Sequence, residues 1–267
     1  MEEIEHSIPR SHPRYHSLIT RERLVKGFYE GIVVPQGLIA HGRGECFDYL
    51  IGEKTIPPAR KAIRAAAALL LLARYPVISV NGNTAVLAGK DIVELAKVLG
   101  AAIEVNLFYR TRERAVKIAK LLKMYGAEKV YGVDDATMRI PGLEHPRGLV
   151  SPNGIWKADV VLVALEDGDR TQALRKLGKK VIAIDLNPLS RTALSADITI
   201  VDNVIRAVPL LVEEVKKLKN MDKIQLQQII SSYNNLEVLR ETLNYIFDRL
   251  KSLAENNLRQ LVKEVGV

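Results

Sequence analysis

ADVVLVALEDGDRTQALRKLGKKVIAIDLNPLSRTALSADITIVDNVIRA, residues 158–207, is the stretch whose reading decides the fold. Three runs in it, Val160 to Leu165, Val181 to Leu186 and Ile198 to Val201, are β-branched and nearly continuous in apolarity. Continuity rather than alternation marks strands buried on both faces, as in a parallel sheet covered by helices. Between the first two runs, Gly168 to Gly178 carries Ala173, Leu174 and Leu177 at helical spacing and closes on Gly-Lys-Lys. Strand, helix and strand in one sheet form a parallel crossover, and ligands of such sheets bind outside the carboxyl ends of the strands. The polar residues that end each run therefore define one rim: Glu166, Asp167, Asp169, Arg170, Asp185, Asn187, Ser190, Arg191, Thr192, Asp202 and Asn203.

Working outward, Ile56 to Arg74 reads as a helix buried nearly all round, with Pro57 and Pro58 in its first turn. PVISV at 76–80 is a strand, followed by a turn at Asn81-Gly82-Asn83-Thr84 and a helix to about Leu99 with Asn83 or Thr84 as N-cap. Ala102 to Phe108 is a further strand, then a helix from Glu113 to Tyr125, a strand from Lys129 to Val133, and a loop over 134–157. Six strands alternating with helices predict an α/β fold with a doubly wound parallel sheet. Neither G-x-G-x-x-G after the first strand nor G-x-x-x-x-G-K-[ST] is present, which argues against an ordinary dinucleotide binder and a P-loop NTPase.

Residues 1–57 hold His6, His12, His16 and His41 without regular ligand spacing. A helix is expected over Ser17 to Gly31, and a glycine-dense loop at QGLIAHGRGECFDYL, where Gly37, Gly42 and Gly44 permit close backbone approach. Residues 222–267 change character: Leu236, Leu239, Leu243, Ile246, Leu250 and Leu253 recur at 3, 4 spacing. That seam fits a subunit contact or a helix docked on its own domain. The division expected is 1–220 for the sheet domain with its N-terminal segment and 221–267 for a helical tail.

At 267 residues with 48% apolar content the chain supports a substantial core. No long uncharged apolar run suggests a membrane span, and the N-terminus lacks the apolar segment of a secretory signal, so a cytoplasmic protein is expected. The single Cys46 excludes a disulfide framework and reads as a small buried residue. A net charge of +8 fits anionic substrates, and without an aromatic-plus-basic stripe nucleic acid is the weaker reading.

Several blocks together, SHPRYHSL with Arg21-Glu22, GLIAHGRGECFDYLIGEKT, PVISVNGNTA, EVNLFYRTRER, ADVVLVALEDGDRT and IDLNPLSRTA followed by IVDN, resemble the archaeal phosphopantothenate synthetases, or 4-phosphopantoate:beta-alanine ligases. The likeness runs through residues 7–220 and departs at Cys46 and Ala164, each one small apolar residue for another. It implies a Rossmann-like homodimer of coenzyme A biosynthesis that joins 4-phosphopantoate to beta-alanine and converts ATP to AMP and diphosphate. The ATP positions it implies are Arg21, Arg43, Asp185, Leu186, Asn187, Arg191, Thr192 and Asn203.

An AMP-forming ligase activates the carboxylate as an acyl-adenylate, so cations at the phosphates should do most of the stabilising. Arg43 and Arg191 are catalytic candidates for that role, with Arg21 beside them, and His41 is a candidate base toward the amine. Asn81, Gly82, Asn83 and Thr84 with Arg110 are candidates for the substrate phosphate, through a helix N-terminus and a guanidinium. Glu166, Asp167 and Asp169 are candidates for Mg2+ or for the ammonium of beta-alanine; the alternative is that Asp169 caps its helix and the others are solvated. Outside the resemblance, another nucleotide-binding transferase or a non-catalytic basic binding module would carry the same sheet.

Overall fold

The computed structural model describes residues 8–255; His6 and the tail beyond Glu255 lie outside them. Helices α1 (Tyr15–Tyr29), α2 (Pro35–Ile51) and α3 (Pro57–Leu72) lead into β1 (Pro76–Val80), α4 (Gly82–Leu99), β2 (Ala102–Val105) and α5 (Arg112–Met124). A short antiparallel pair, β3 (Met138–Arg139) and β4 (Leu149–Val150), flanks a one-turn 3-10 helix at Pro146–Gly148. Then come β5 (Val160–Ala164), α6 (Gly168–Lys176), β6 (Lys180–Ile184), α7 (Arg191–Ser195), β7 (Ile198–Ile200) and α8 (Val204–Leu218). Helices α9 (Lys223–Ser231) and α10 (Asn235–Glu255) complete the described chain.

The main sheet is parallel throughout, in the order β2-β1-β5-β6-β7. This is the doubly wound α/β fold expected from residues 158–207. Side chains alternate between two covered faces. Ile78, Val80, Leu162, Ala164, Ile182 and Ile184 face α3, α4 and α8, whereas Val77, Val161, Val163, Val181 and Ala183 meet α6 and the 138–158 segment. Helix α3 presents one face to the core, and its run Ala65 to Ala68 is completely buried. The small side chains let α8 and β7 approach it closely.

Three expectations fail for local reasons. Residues 129–133 form no strand; only Tyr131 bridges β2, giving its N–H to Ile103 and accepting from Val105. Gly132 there adopts φ +79°, and the Asp135 carboxylate accepts from the N–H groups of Gly132 and Val133, which turns the chain away from the sheet edge. Conversely, the glycine-dense stretch is not a loop but α2. Pro35 opens it, and Gly52 at φ +81° closes it. Helical glycines cost up to about 1 kcal/mol each. Burial of Ile51 with Phe47 and Leu50 against Ile56, Ala59, Leu186 and Ile246 offsets that. Cys46, expected inside, is exposed on this helix.

The tail folds back as α9 and α10 against α3. Of the leucine seam, Leu239 and Ile246 are buried, while Leu236 is 64% and Leu250 45% exposed. Asn235 fastens the tail: its Nδ2 donates to the carbonyls of Ala193 and Ala196, and its Oδ1 accepts from Thr199 N at 2.7 Å. No helix among the described residues is long and apolar enough to cross a membrane.

Leu239→Ala should destabilise the protein by about 2–5 kcal/mol in urea unfolding, whereas Leu236→Ala should stay within about 0.5 kcal/mol. Equal costs would show that the two leucines are not divided between core and surface as described.

Candidate functional site

In the sheet, β1 sends its connection toward β2 and β5 sends its connection toward β6, so the chain leaves two neighbouring strands in opposite directions. The crevice between them is the switch point of a doubly wound sheet. A cleft of about 700 Å³ opens there, and α2 roofs it with Gln36, Gly37, Ala40, Arg43, Gly44 and Phe47. A shallow hollow of similar size on the outer side of α5, around Val116, Lys120 and Met124, lies away from the strand ends.

Asn81, the residue after β1, spans the crevice floor. Its Oδ1 accepts from Thr84 N at 3.0 Å as the N-cap of α4, and its Nδ2 donates to the Ala164 carbonyl at 2.8 Å. The cap is thus two residues earlier than the first of the expected positions, because only Asn81 reaches both strands. Gly82 and Asn83 also line the cleft, whereas Thr84 is buried in α4. A Cβ on Gly82 would lie 2.3 Å from the Ile32 carbonyl and 2.7 Å from Arg114 Nη2, so glycine admits both neighbours.

After β5, Leu165 adopts φ +54°, an uncommon conformation for leucine, and turns the chain into α6. Asp167 is the N-cap of α6, but its side chain makes no cap hydrogen bond. It turns instead to Arg147, 2.5 Å away. The first N–H groups of α6 are thereby left open to an anion. A Cβ on Gly168 would fall 2.4 Å from Arg191 Cβ and 3.1 Å from Thr192 N, so glycine lets the starts of α6 and α7 touch.

After β6, the Asp185 carboxylate accepts from Asn187 N and from the Ser190 hydroxyl, and Ser190 Oγ in turn caps α7 at Ala193 N. Burial pushes the Asp185 carboxyl up, against those two donors and the neighbouring Arg43. Thr192 Oγ1 donates to the Glu166 carbonyl at 2.8 Å and ties α7 to the end of β5. Asp185, Leu186, Asn187, Arg191 and Thr192 line one end of the cleft, with Arg43 reaching in from α2.

The opposite end is walled by Leu107, Phe108, Tyr109, Arg114 and Arg147. Phe108 stacks on His145 at 3.6 Å between ring centroids. Arg114 donates to the carbonyls of Ile32 and Tyr109, and burial beside Arg147 lowers its guanidinium to about 10. These two arginines were not singled out from the sequence. Arg110, which was, turns away: its Nη2 donates to the carbonyls of Gly132 and Val133. The difference is positional, since Arg114 is the third residue of α5, in its first turn, while Arg110 precedes its cap, Thr111.

Other expected residues lie off the cleft. Arg21 pairs with Glu45 between α1 and α2, at 2.9 Å. His41 is on the same side, near Glu45, Arg21 and Asp48, with its pKa lowered by burial and its Nε2 without a partner among the described residues. Asn203 caps α8 and donates to Asp48 Oδ2 at 2.9 Å. The acidic trio does not converge either. Glu166 is taken up by Arg147 and Arg170, Asp167 by Arg147, and Asp169 is exposed. Among the described residues no group of three or more His, Cys, Asp or Glu side chains is placed to hold a metal.

A model of the phosphopantothenate/pantothenate synthetase family matches residues 58–249. A protein of Thermococcus kodakarensis named "4-phosphopantoate--beta-alanine ligase" is 56% identical over 253 residues, covering 94% of this chain and 97% of its own. Proteins of the same name from Methanosarcina mazei and Methanospirillum hungatei are 51% and 50% identical over 248 residues. They cover 92% and 93% of this chain, and 97% and 100% of their own.

Gly168→Ala should lower stability by about 1–3 kcal/mol, because α6 and α7 must part to admit the methyl group. Gly42→Ala, with nothing within 4 Å of the added Cβ and a helical backbone, should instead raise it by up to about 1 kcal/mol. Chemical denaturation of both variants checks the contrast.

Proposed function

The chain belongs to the phosphopantothenate/pantothenate synthetase family, and from that premise we propose that it joins 4-phosphopantoate to beta-alanine with ATP, giving 4'-phosphopantothenate, AMP and diphosphate. It is a ligase that forms a carbon–nitrogen bond in coenzyme A biosynthesis. The observation that carries the reading in detail is the crevice itself, a single cleft with a cationic group at each end.

In this reading ATP lies over the ends of β5 and β6, between Asp185, Leu186, Asn187 and Thr192 on one side and the open start of α6 on the other. The fit rests on three features: room of about 700 Å³, the glycine approach at Gly168, and Arg43 and Arg191 exposed in the lining at that end. The 4-phosphopantoate phosphate lies at the other end, against Arg114 and Arg147 and the start of α4. Arg114 and Arg147 replace Arg110 in that role. Mg2+ would be held chiefly by the phosphates, with Asp169 as the exposed carboxylate beside them, and would neutralise charge on leaving diphosphate.

A carboxylate is a poor electrophile and needs a leaving group. The pantoate carboxylate oxygen attacks the α-phosphorus of ATP, the bond to the β-phosphate oxygen breaks, and diphosphate leaves with the electron pair. The beta-alanine ammonium gives one proton to solvent, its amine attacks the acyl carbon, AMP leaves with the electrons of the acyl–oxygen bond, and the nitrogen's second proton passes to solvent as the amide forms. Arg43 and Arg191 act on the phosphate charge that develops in the first step. Phe108 and Tyr109 shield the pantoate end from water, which would otherwise hydrolyse the acyl-adenylate.

The half-exposed stripe Leu236, Leu243, Phe247 and Leu250 on α10 supports a homodimer through the outer face of the tail. Sedimentation of the full chain should show a dimer that Phe247→Glu converts to monomer; an unchanged dimer in the variant would place the contact elsewhere.

With all substrates present, AMP should appear only when both 4-phosphopantoate and beta-alanine are added; ADP instead would replace the adenylate by an acyl phosphate. Arg191→Ala should raise KM for ATP about ten- to a hundred-fold, and Arg114→Ala should do the same for 4-phosphopantoate. Equal effects of each variant on both substrates would reject the two-ended arrangement.

A further inference from the structure

Arg170 was expected on the rim, yet its side chain is 1% exposed, beneath the cleft. Its Nη1 donates to Glu166 Oε2 and lies 3.3 Å from Ser79 Oγ on β1. Its Nε and Nη2 have no hydrogen-bond partner among the described residues. Burying a guanidinium is costly unless its donors are met, and apolar side chains of similar bulk are often as stable or more so in such places. The arrangement is therefore poorly explained by stability.

What Arg170 does accomplish is to hold Glu166, whose side chain is 2% exposed. Glu166 Oε1 accepts from Asp167 N at 2.8 Å and sits 2.8 Å from Arg147 Nε as an ion pair without hydrogen-bond alignment. Arg147 itself lines the cleft, with Nη1 on Asp167 and Nη2 reaching toward the Leu165 carbonyl. The chain of contacts runs from Arg170 inside, through Glu166, to Arg147 at the wall, and it crosses the backbone turn that carries Leu165 in its left-handed conformation.

The segment bearing Arg147 is secured separately. Glu104 on β2, wholly buried, accepts from the N–H groups of Ser151 and Ile155, just past Arg147 in sequence. With its backbone held there, the remaining freedom of Arg147 is in its long side chain, which Asp167 holds at Nη1 and Glu166 holds at Nε.

We propose that Arg170 is a positioning residue for the condensation: it holds Glu166 from within the fold, and Glu166 in turn fixes the Arg147 guanidinium where the anionic group of 4-phosphopantoate lies. Arg170 touches no substrate. It sets the direction in which Arg147 presents its donors, and a fork-shaped guanidinium is sensitive to that direction in a way an ammonium is not. The inference rests on the ligase reading above.

The test is steady-state kinetics on the full chain with ATP, 4-phosphopantoate and beta-alanine. Wild-type chain that forms no phosphopantothenate overturns the ligase reading and the inference with it. Given an active wild type, Arg170→Lys should raise KM for 4-phosphopantoate by about ten-fold, leave that for ATP within about two-fold, and add nothing further in an Arg147→Lys background. Should Arg170→Lys not fold by circular dichroism, Glu166→Gln breaks the same link with almost no change of volume, and the same split between the two KM values is expected. A fall in kcat with both KM values unchanged, or effects of Arg170→Lys and Arg147→Lys that multiply, would overturn the assignment and leave Arg170 a purely structural residue.

Discussion

The parallel pairing of β1 with β5 governs this molecule. Pro76 to Ser79 lie in register with Val160 to Val163, although some eighty residues separate them in the chain. Because one strand turns off toward β2 and the other toward β6, no connection can cover the gap above them. The cleft is what two divergent crossovers leave behind. Asn81 shows how closely the pairing is tied to the site, since one side chain caps α4 and also holds the carbonyl that ends β5.

Charge around that gap is distributed with an evident division of labour. Carboxylates near the floor are engaged: Glu166 and Asp167 by arginines, and Asp185 by Asn187 N and Ser190. Arg43 and Arg191, by contrast, stand exposed at the Asp185 end. Negative groups thus shape the loops, and positive groups face the open volume, which suits a reaction whose reactants are all anions or carry one. The unusual choice at Asp167 belongs to the same scheme. An aspartate that satisfied its own helix would close the anion-facing start of α6, and Arg147 draws it aside.

How much of this was legible depended on whether a residue's place is set locally. Asp185, Asn187 and Ser190 follow an unbroken apolar run, so strand geometry alone delivers them to the rim. Arg170 follows such a run too, but it is the third residue of α6, where helical rotation carries it inward against Ser79 and Glu166 instead of onto the rim. Arg147 arrives from an irregular segment whose path is fixed by Glu104, a contact with no sequence signature. Glycine counting misjudged α2, because Gly37 is required by its neighbour Asn83, 2.3 Å from where a Cβ would stand, and not by its own backbone. The tail's seam was read from spacing, yet spacing cannot say that Leu239 packs inward against Ala193 and Val201 while Leu236 and Leu250 stay outside.

Asn235 has a bearing on the order of events at the ribosome. It braces α7, and so Arg191 and Thr192, from the far end of the described chain. Domains generally begin to fold from the N-terminus during synthesis, but β1 must wait for β5, and α7 must wait for α10. During translation the nascent protein therefore carries the apolar face of α3 uncovered until β7 and α8 emerge, and part of it until α9 and α10 follow. Synthesis must be almost complete before the Asp185 end of the cleft is braced, and an interrupted polypeptide would display an aggregation-prone surface rather than a partly working enzyme.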